Sequence, residues 1–134
     1  MNVLIVDDEK RISDFLMNFA RSQGYTDVDT VASANEAMVQ AMRQRYDLIT
    51  LDLSMPDASG LEIIGMLRNM CPHAIIVIIS GFLPETVTSE VAGSVDVILA
   101  KRHWFSDVEV FNSLRNKVLR SADLKKLGDR KPPL

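Results

Sequence analysis

Val3-Leu4-Ile5-Val6-Asp7-Asp8 and Leu48-Ile49-Thr50-Leu51-Asp52 carry the strongest structural signal in the chain. Each is a short, largely apolar run that ends on acid, the pattern of a buried strand leaving a sheet. If both runs are parallel strands of one sheet, the three carboxylates meet at its C-terminal edge, where open α/β sheets place their ligand sites. Like charges gathered there repel, so the cluster predicts a hard divalent cation, and oxygen ligands of this kind suit Mg²⁺. The residues point to a metal-dependent phosphoryl site.

Outward from these runs, strand-like and helix-like segments alternate five times. After Asp7 to Glu9, acidic residues at a helix start, Ile12, Phe15, Leu16, Phe19 and Ala20 fall on one helical face that Gly24 stops. Asp27 to Ala32 reads as the second strand. Ser33 then serves as an N-cap, with Glu36 completing a capping box, for a helix whose apolar face is Ala34, Ala37, Met38, Ala41 and Met42. Asp47 to Leu51 is the third strand, Pro56 to Gly60 a turn, and Leu61, Ile64 and Leu67 the inner face of a third helix. Ala74 to Ile79 lacks polar alternation, as a parallel strand covered on both faces should. Pro84 opens a fourth helix with Val87 and Val91, Val95 to Leu99 is the fifth strand, and Phe111, Leu114 and Val118 mark a fifth helix. Strict alternation predicts a doubly wound five-stranded parallel sheet, strand order 2-1-3-4-5, with helices on both faces.

Composition sets the bounds. The 134 residues suit one domain, and 47% hydrophobic with 25% charged residues excludes global disorder. There is no apolar stretch near the ~18 residues a membrane span needs and no secretory pattern at the start, so no membrane role and a cytoplasmic location are expected. Cys71, a single cysteine, reads as a structural thiol. The net charge of -3 hides an asymmetry: residues 1 to 114 carry 16 acidic and 8 basic side chains, residues 115 to 134 carry 2 and 7. Lys117, Arg120, Lys125, Lys126, Arg130 and Lys131 read either as an acidic-partner or nucleic-acid patch or as helix-end charges and a polar tail. With no nucleic-acid motif beside them, direct nucleic-acid binding is not expected.

Asp7-Asp8, Asp52, the turn Met55-Pro56-Asp57-Ala58-Ser59-Gly60, Ser80-Gly81 and Lys101, in this order, resemble a response-regulator receiver domain of two-component signalling, with a flavodoxin-like, CheY-like fold. The resemblance spans residues 1 to 121, leaving 122 to 134 as a helix end and a basic tail or linker stub. It implies that Asp52 accepts a phosphoryl group from a histidine kinase or phosphotransfer protein, and that Asp7, Asp8, Asp52 and the backbone carbonyl of Leu53 hold Mg²⁺. Lys101 and Ser80 would meet the phosphoryl oxygens, a division of labour that the electrostatics of phosphoryl transfer also requires. Such a domain is a signalling module rather than an enzyme, assisting its own phosphorylation and dephosphorylation and passing the signal to a downstream protein or an output domain; a homodimer stays open. Phosphorylation adds about -1.5 to -2 charges, and meeting them would pull on the loops after strands four and five.

Several positions depart from the family pattern. Ile98 stands three residues before Lys101, where an aromatic residue is common, and Arg102 follows Lys101 in place of proline. A non-proline cis bond costs ~2.5 to 4 kcal/mol, so a trans peptide is expected there. Trp104 and Phe105 read either as a substitute aromatic signal or as an anchor for the last helix, and Phe82 as a barrier to attacking water or a sheet-edge cap. His73 reads as a surface residue, and His103 without a partner carries no catalysis. Ile63, Met66 and Met70 add a second apolar row to the third helix, either an adaptable partner surface or deeper burial.

Two other functions fit the same fold. One is a pseudo-receiver that binds partners independently of phosphorylation. The other is a small Mg²⁺-dependent phosphohydrolase with an aspartate nucleophile, against which Ser54 occupies the position two past Asp52 where a general acid would be needed.

Overall fold

The computed structural model of the chain describes residues 2–55, 60–81, 93–100 and 116. In them, β1 (Asn2–Val6), α1 (Lys10–Ser22), β2 (Asp27–Val31), α2 (Ala34–Arg43), β3 (Leu48–Leu51), α3 (Gly60–Met70), β4 (Ile75–Ser80) and β5 (Val97–Ala100) follow one another. The turn at 56–59, the helices expected at Pro84 and Phe111, and Phe82, Lys101, His103, Trp104, Phe105 and the basic tail lie outside the described residues.

The five strands form one parallel sheet in the order β2-β1-β3-β4-β5, as the alternation predicts. Side chains alternate across it with period two. Val3, Ile5, Leu48, Ile75, Val77 and Ile79 form one layer with Ile12, Leu16, Phe19 and Ala20 of α1. Leu4, Val6, Ile49, Leu51, Ile76 and Ile78 form the other with Ala34, Ala37 and Ala41 of α2 and Ile63, Ile64 and Leu67 of α3. Burying each large aliphatic side chain contributes about 1.5 to 3 kcal/mol, so a one-residue slip of any inner strand would exchange its two faces and misalign both layers.

Local signals act as their chemistry requires. At the end of α1, Gly24 takes φ +84°, its N–H donates to the Arg21 carbonyl, and the Tyr25 N–H donates to the Ala20 carbonyl. Those paired bonds are a Schellman closure, which needs a residue that tolerates positive φ. Ser33 Oγ accepts from the Glu36 N–H at 3.2 Å, and the Glu36 carboxylate accepts from the Ala32 N–H at 2.8 Å, one residue before the cap.

Three expectations need correction. The first turn of α1 holds no acidic residue, and Glu9 at its N-cap makes no side-chain cap bond; Asp7 instead accepts from the Glu9 N–H ahead of the helix. Met42 belongs to the solvent side of α2, 76% exposed, because the packed stripe consists of the small residues Ala34, Ala37 and Ala41. Of the second apolar row on α3, Ile63 is buried, as the deeper-burial alternative has it, while Met66 and part of Met70 stay exposed; the Leu61 side chain lies outside what is described. Strand bounds shift by one or two residues: β2 ends at Val31, β3 begins at Leu48, and β4 runs to Ser80 because Ser80 pairs with Ala100. Cys71 is buried in the α2/α3 layer, and His73 is exposed before β4.

The end of the sheet opposite the carboxylates is tied by one arginine. From the last turn of α3, Arg68 donates through Nε to the Ser94 carbonyl at 2.9 Å and through Nη1 to the Ala74 and Pro72 carbonyls at 2.7 and 3.2 Å. Its Nη2 meets Asp96 Oδ2 at 2.9 Å, and the same oxygen accepts from the Ile76 N–H at 2.9 Å. One planar fork thus holds the entries to β4 and β5, which a lysine could not reproduce.

Candidate functional site

The chain leaves β1 towards one neighbour, β2, and reaches the other, β3, only later, so the crossovers diverge between β1 and β3. A crevice forms at such a point beyond the C-terminal strand ends. Register then sets the site: Val6 pairs with Leu51, so the next residues on the two strands are Asp7 and Asp52. The Asp52 N–H donates to the Val6 carbonyl at 3.0 Å, and the Asp7 N–H to the Val31 carbonyl at 3.0 Å, extending the ladders one step beyond the strands.

Asp7, Asp8 and Asp52 are brought together, each offering a carboxylate oxygen within 4.8 Å of the others. Asp7 and Asp52 are 4% and 3% exposed, and Asp8 is exposed at the mouth. Two backbone donors hold the buried pair: the Glu9 N–H to Asp7 Oδ1 at 2.8 Å and the Ser54 N–H to Asp52 Oδ1 at 3.1 Å. Ser13 Oγ of α1 donates to the Asp7 carbonyl at 3.3 Å. Unit charges 4.8 Å apart repel by about 3 kcal/mol at an effective dielectric near 20. A divalent cation with oxygen preference is the group such an arrangement suits.

The neighbouring residues frame this cluster. Leu53 is buried in the α2/α3 layer and anchors the backbone just past Asp52, while Ser54 is exposed. Ser80 ends β4 fully buried, and Gly81 beyond it is exposed. Lys101 follows Ala100, the partner of Ser80 in the ladder, but lies outside the described residues. Ile98 pairs with Ile78 and packs, half-buried, against the α2/α3 layer.

Two polar features lie outside the motif residues. The Tyr46 hydroxyl donates to Asp29 Oδ2 at 2.7 Å and accepts from Gln44 Nε2 at 2.8 Å, tying the approach to β3 to the edge strand β2. Burial, offset in part by the Gln44 bond and reinforced by Asp29, pushes its phenol up to about 12. Thr50, two residues before Asp52, has a buried hydroxyl without a hydrogen-bond partner among the described residues. Neither has a sequence signal, because both depend on contacts across strands.

Comparison with known proteins gives the class. The response regulator receiver domain family model matches residues 3–107, and the chain belongs to this family, the receiver domains of two-component response regulators. The two-component response regulator PhoP of Pseudomonas aeruginosa is 32% identical over 111 residues, 81% of this chain and 48% of the relative. The chain spans less than half the length of the curated relatives it matches, several of them transcriptional regulatory proteins. A CheY-like receiver domain from Methanospirillum hungatei superposes with a TM-score of 0.83 at 20% identity, over 95% of this chain and 97% of that one, and shares the fold. The response regulator TrrA from Thermotoga maritima, solved in complex with Mg(2+)-BeF, superposes with a TM-score of 0.72 at 29% identity, over 90% and 99%. No helix among the described residues is long and apolar enough to cross a membrane.

Proposed function

We propose that this chain is a phosphorylation-controlled receiver in which Asp52 accepts a phosphoryl group from the phosphohistidine of a kinase or phosphotransfer protein. The observation that carries the reading is the convergence of the Asp7, Asp8 and Asp52 carboxylate oxygens within 4.8 Å at the crevice between β1 and β3. Its family membership and its similarity to TrrA support it. Asp7, Asp8, Asp52 and the Leu53 carbonyl would hold Mg²⁺, which when bound offsets carboxylate charge and polarises the phosphoryl oxygens.

In transfer, a carboxylate oxygen of Asp52 attacks phosphorus, the P–N bond breaks, and the imidazole nitrogen keeps the electron pair. The Ser54 N–H on Oδ1 holds the carboxylate plane for that attack. Ser80, at the adjacent strand end, and Lys101, next after Ala100, are assigned to the phosphoryl oxygens as the charge on them develops. Residues 1–121 form the receiver and 122–134 a helix end and tail or linker. The domain acts in the cytoplasm and passes its state to a downstream protein or an output domain.

Ile98 favours a second reading. Its aliphatic side chain is already packed against the α2/α3 layer and supplies no aromatic rotor, which suits a pseudo-receiver that binds partners in one state. Intact-mass measurement after incubation with Mg²⁺ and acetyl phosphate separates the two. One added phosphoryl group, absent in Asp52→Asn, is the result expected of the receiver. No adduct in the parent protein, or an equal adduct in the variant, overturns it.

A further inference from the structure

Away from the carboxylate crevice, a cavity of about 480 Å³ opens between the C-terminal ends of α2 and α3, lined by Ala41, Met42, Arg43, Gln44, Arg45 and Met70. Its apolar part is largely methionine. Met42 is 76% exposed and Met70 half-buried, with the 50% exposed Met66 one turn earlier on α3 and the 46% exposed Val39 one turn before Met42 on α2. Methionine is flexible and polarizable, and exposed methionine rows adapt to differently shaped apolar partners. Its polar part is cationic: Arg43 and Arg45 are exposed, and among the described residues neither guanidinium has an ion-pair partner, whereas Arg68 on the neighbouring helix is paired with Asp96. Two unpaired arginines flank an apolar floor in a domain whose first 114 residues carry 16 acidic and 8 basic side chains.

We propose that this shelf docks an acidic amphipathic helix from a partner protein, its apolar side chains on Met42 and Met70 and its carboxylates on Arg43 and Arg45. Helices dock in this way when apolar anchors at i, i+3, i+4 and i+7 meet a groove whose rim carries the opposite charge. A membrane surface is the weaker fit, since polybasic lipid recognition uses clusters of about four to eight cations and, among the described residues, two line the shelf.

The test is titration of the unphosphorylated full chain, labelled at the methionine methyl groups, with a synthetic 16-residue amphipathic peptide bearing Leu anchors and Glu flanks. Selective shifts of the Met42 and Met70 methyl signals, with Met17 and Met38 unmoved, are expected. Arg43→Glu with Arg45→Glu should weaken binding at least about 3-fold, the effect of losing two exposed ion pairs, with an unchanged thermal midpoint. A peptide with Lys in place of Glu should bind more weakly still. Absence of methyl shifts, or equal binding of the Lys peptide, overturns the proposal. Anionic phospholipid vesicles that shift the same methyl signals when the Glu peptide does not would assign the shelf to a membrane and overturn it as well.

Discussion

The Asp52 N–H donates to the Val6 carbonyl at 3.0 Å, so the proposed acceptor is tied to the strand whose next residue is Asp7. This single ladder bond places two buried carboxylates side by side through the register of β1 and β3, with no direct contact between distant loops needed. Like charges held this close repel one another.

Asp7→Asn should reveal the cost of that repulsion. An amide oxygen can still accept from the Glu9 N–H, while one charge leaves the cluster. Without divalent cation the variant should be more stable by about 1 to 2 kcal/mol, within the range for charges at this separation. With Mg²⁺ the order should reverse, because the parent protein gains binding stabilisation that the variant has largely lost. Thermal denaturation with and without Mg²⁺ reads both effects, and a variant less stable than the parent in the absence of cation would show that the carboxylates are not in net repulsion.

Arg68→Ala should destabilise by about 1 to 2 kcal/mol in urea, since it abandons three backbone carbonyls and Asp96. Arg68→Lys should restore less than half, for want of the planar fork. A loss below about 0.5 kcal/mol would reduce this contact to an ordinary surface pair.

Thr50→Val removes a buried hydroxyl that has no partner among the described residues. An unsatisfied buried polar group costs about 1 to 3 kcal/mol, so the variant should gain about 1 kcal/mol at unchanged denaturant slope. Destabilisation instead would reveal a partner for the hydroxyl.

Tyr46 supplies a pH dependence. Its phenol is pushed up to about 12 in the folded chain from an ordinary value near 10, so between those values the folded state holds a proton that the unfolded state has released. Stability from this group is complete below pH 10 and declines towards pH 12, by on the order of 2 kcal/mol. Tyr46→Phe should flatten that alkaline loss, leaving a residual slope from Tyr25, which burial also raises. An identical alkaline profile in the variant would remove Tyr46 as its source.

Much of the architecture could be read from local pattern. The inner strands were legible because a strand buried on both faces cannot alternate with polar residues, and runs such as Ile75 to Ile79 leave little other reading. The α1 face and its Gly24 stop were legible from helical spacing and the need for positive φ, and Ser33 with Glu36 from capping chemistry. The convergence of Asp7, Asp8 and Asp52 was legible as well, since parallel strands of one sheet must deliver their C-terminal residues to one edge.

Other features belong to the tertiary structure. Met42 falls on the core face by spacing and is exposed, and spacing leaves open whether Ile63 is surface or buried, because the arc of a helix that is covered depends on how α2 and α3 lean together over the sheet. Arg68 and Asp96 meet across 28 residues of chain, and Tyr46 meets Asp29 across 17, so no local window contains either pair. Periodicity, element order and the residue types at the sheet edge are local properties, all set within a few neighbouring residues. Only tertiary packing decided which polar groups find partners and which apolar side chains stay in water, because those outcomes depend on surfaces contributed by distant segments.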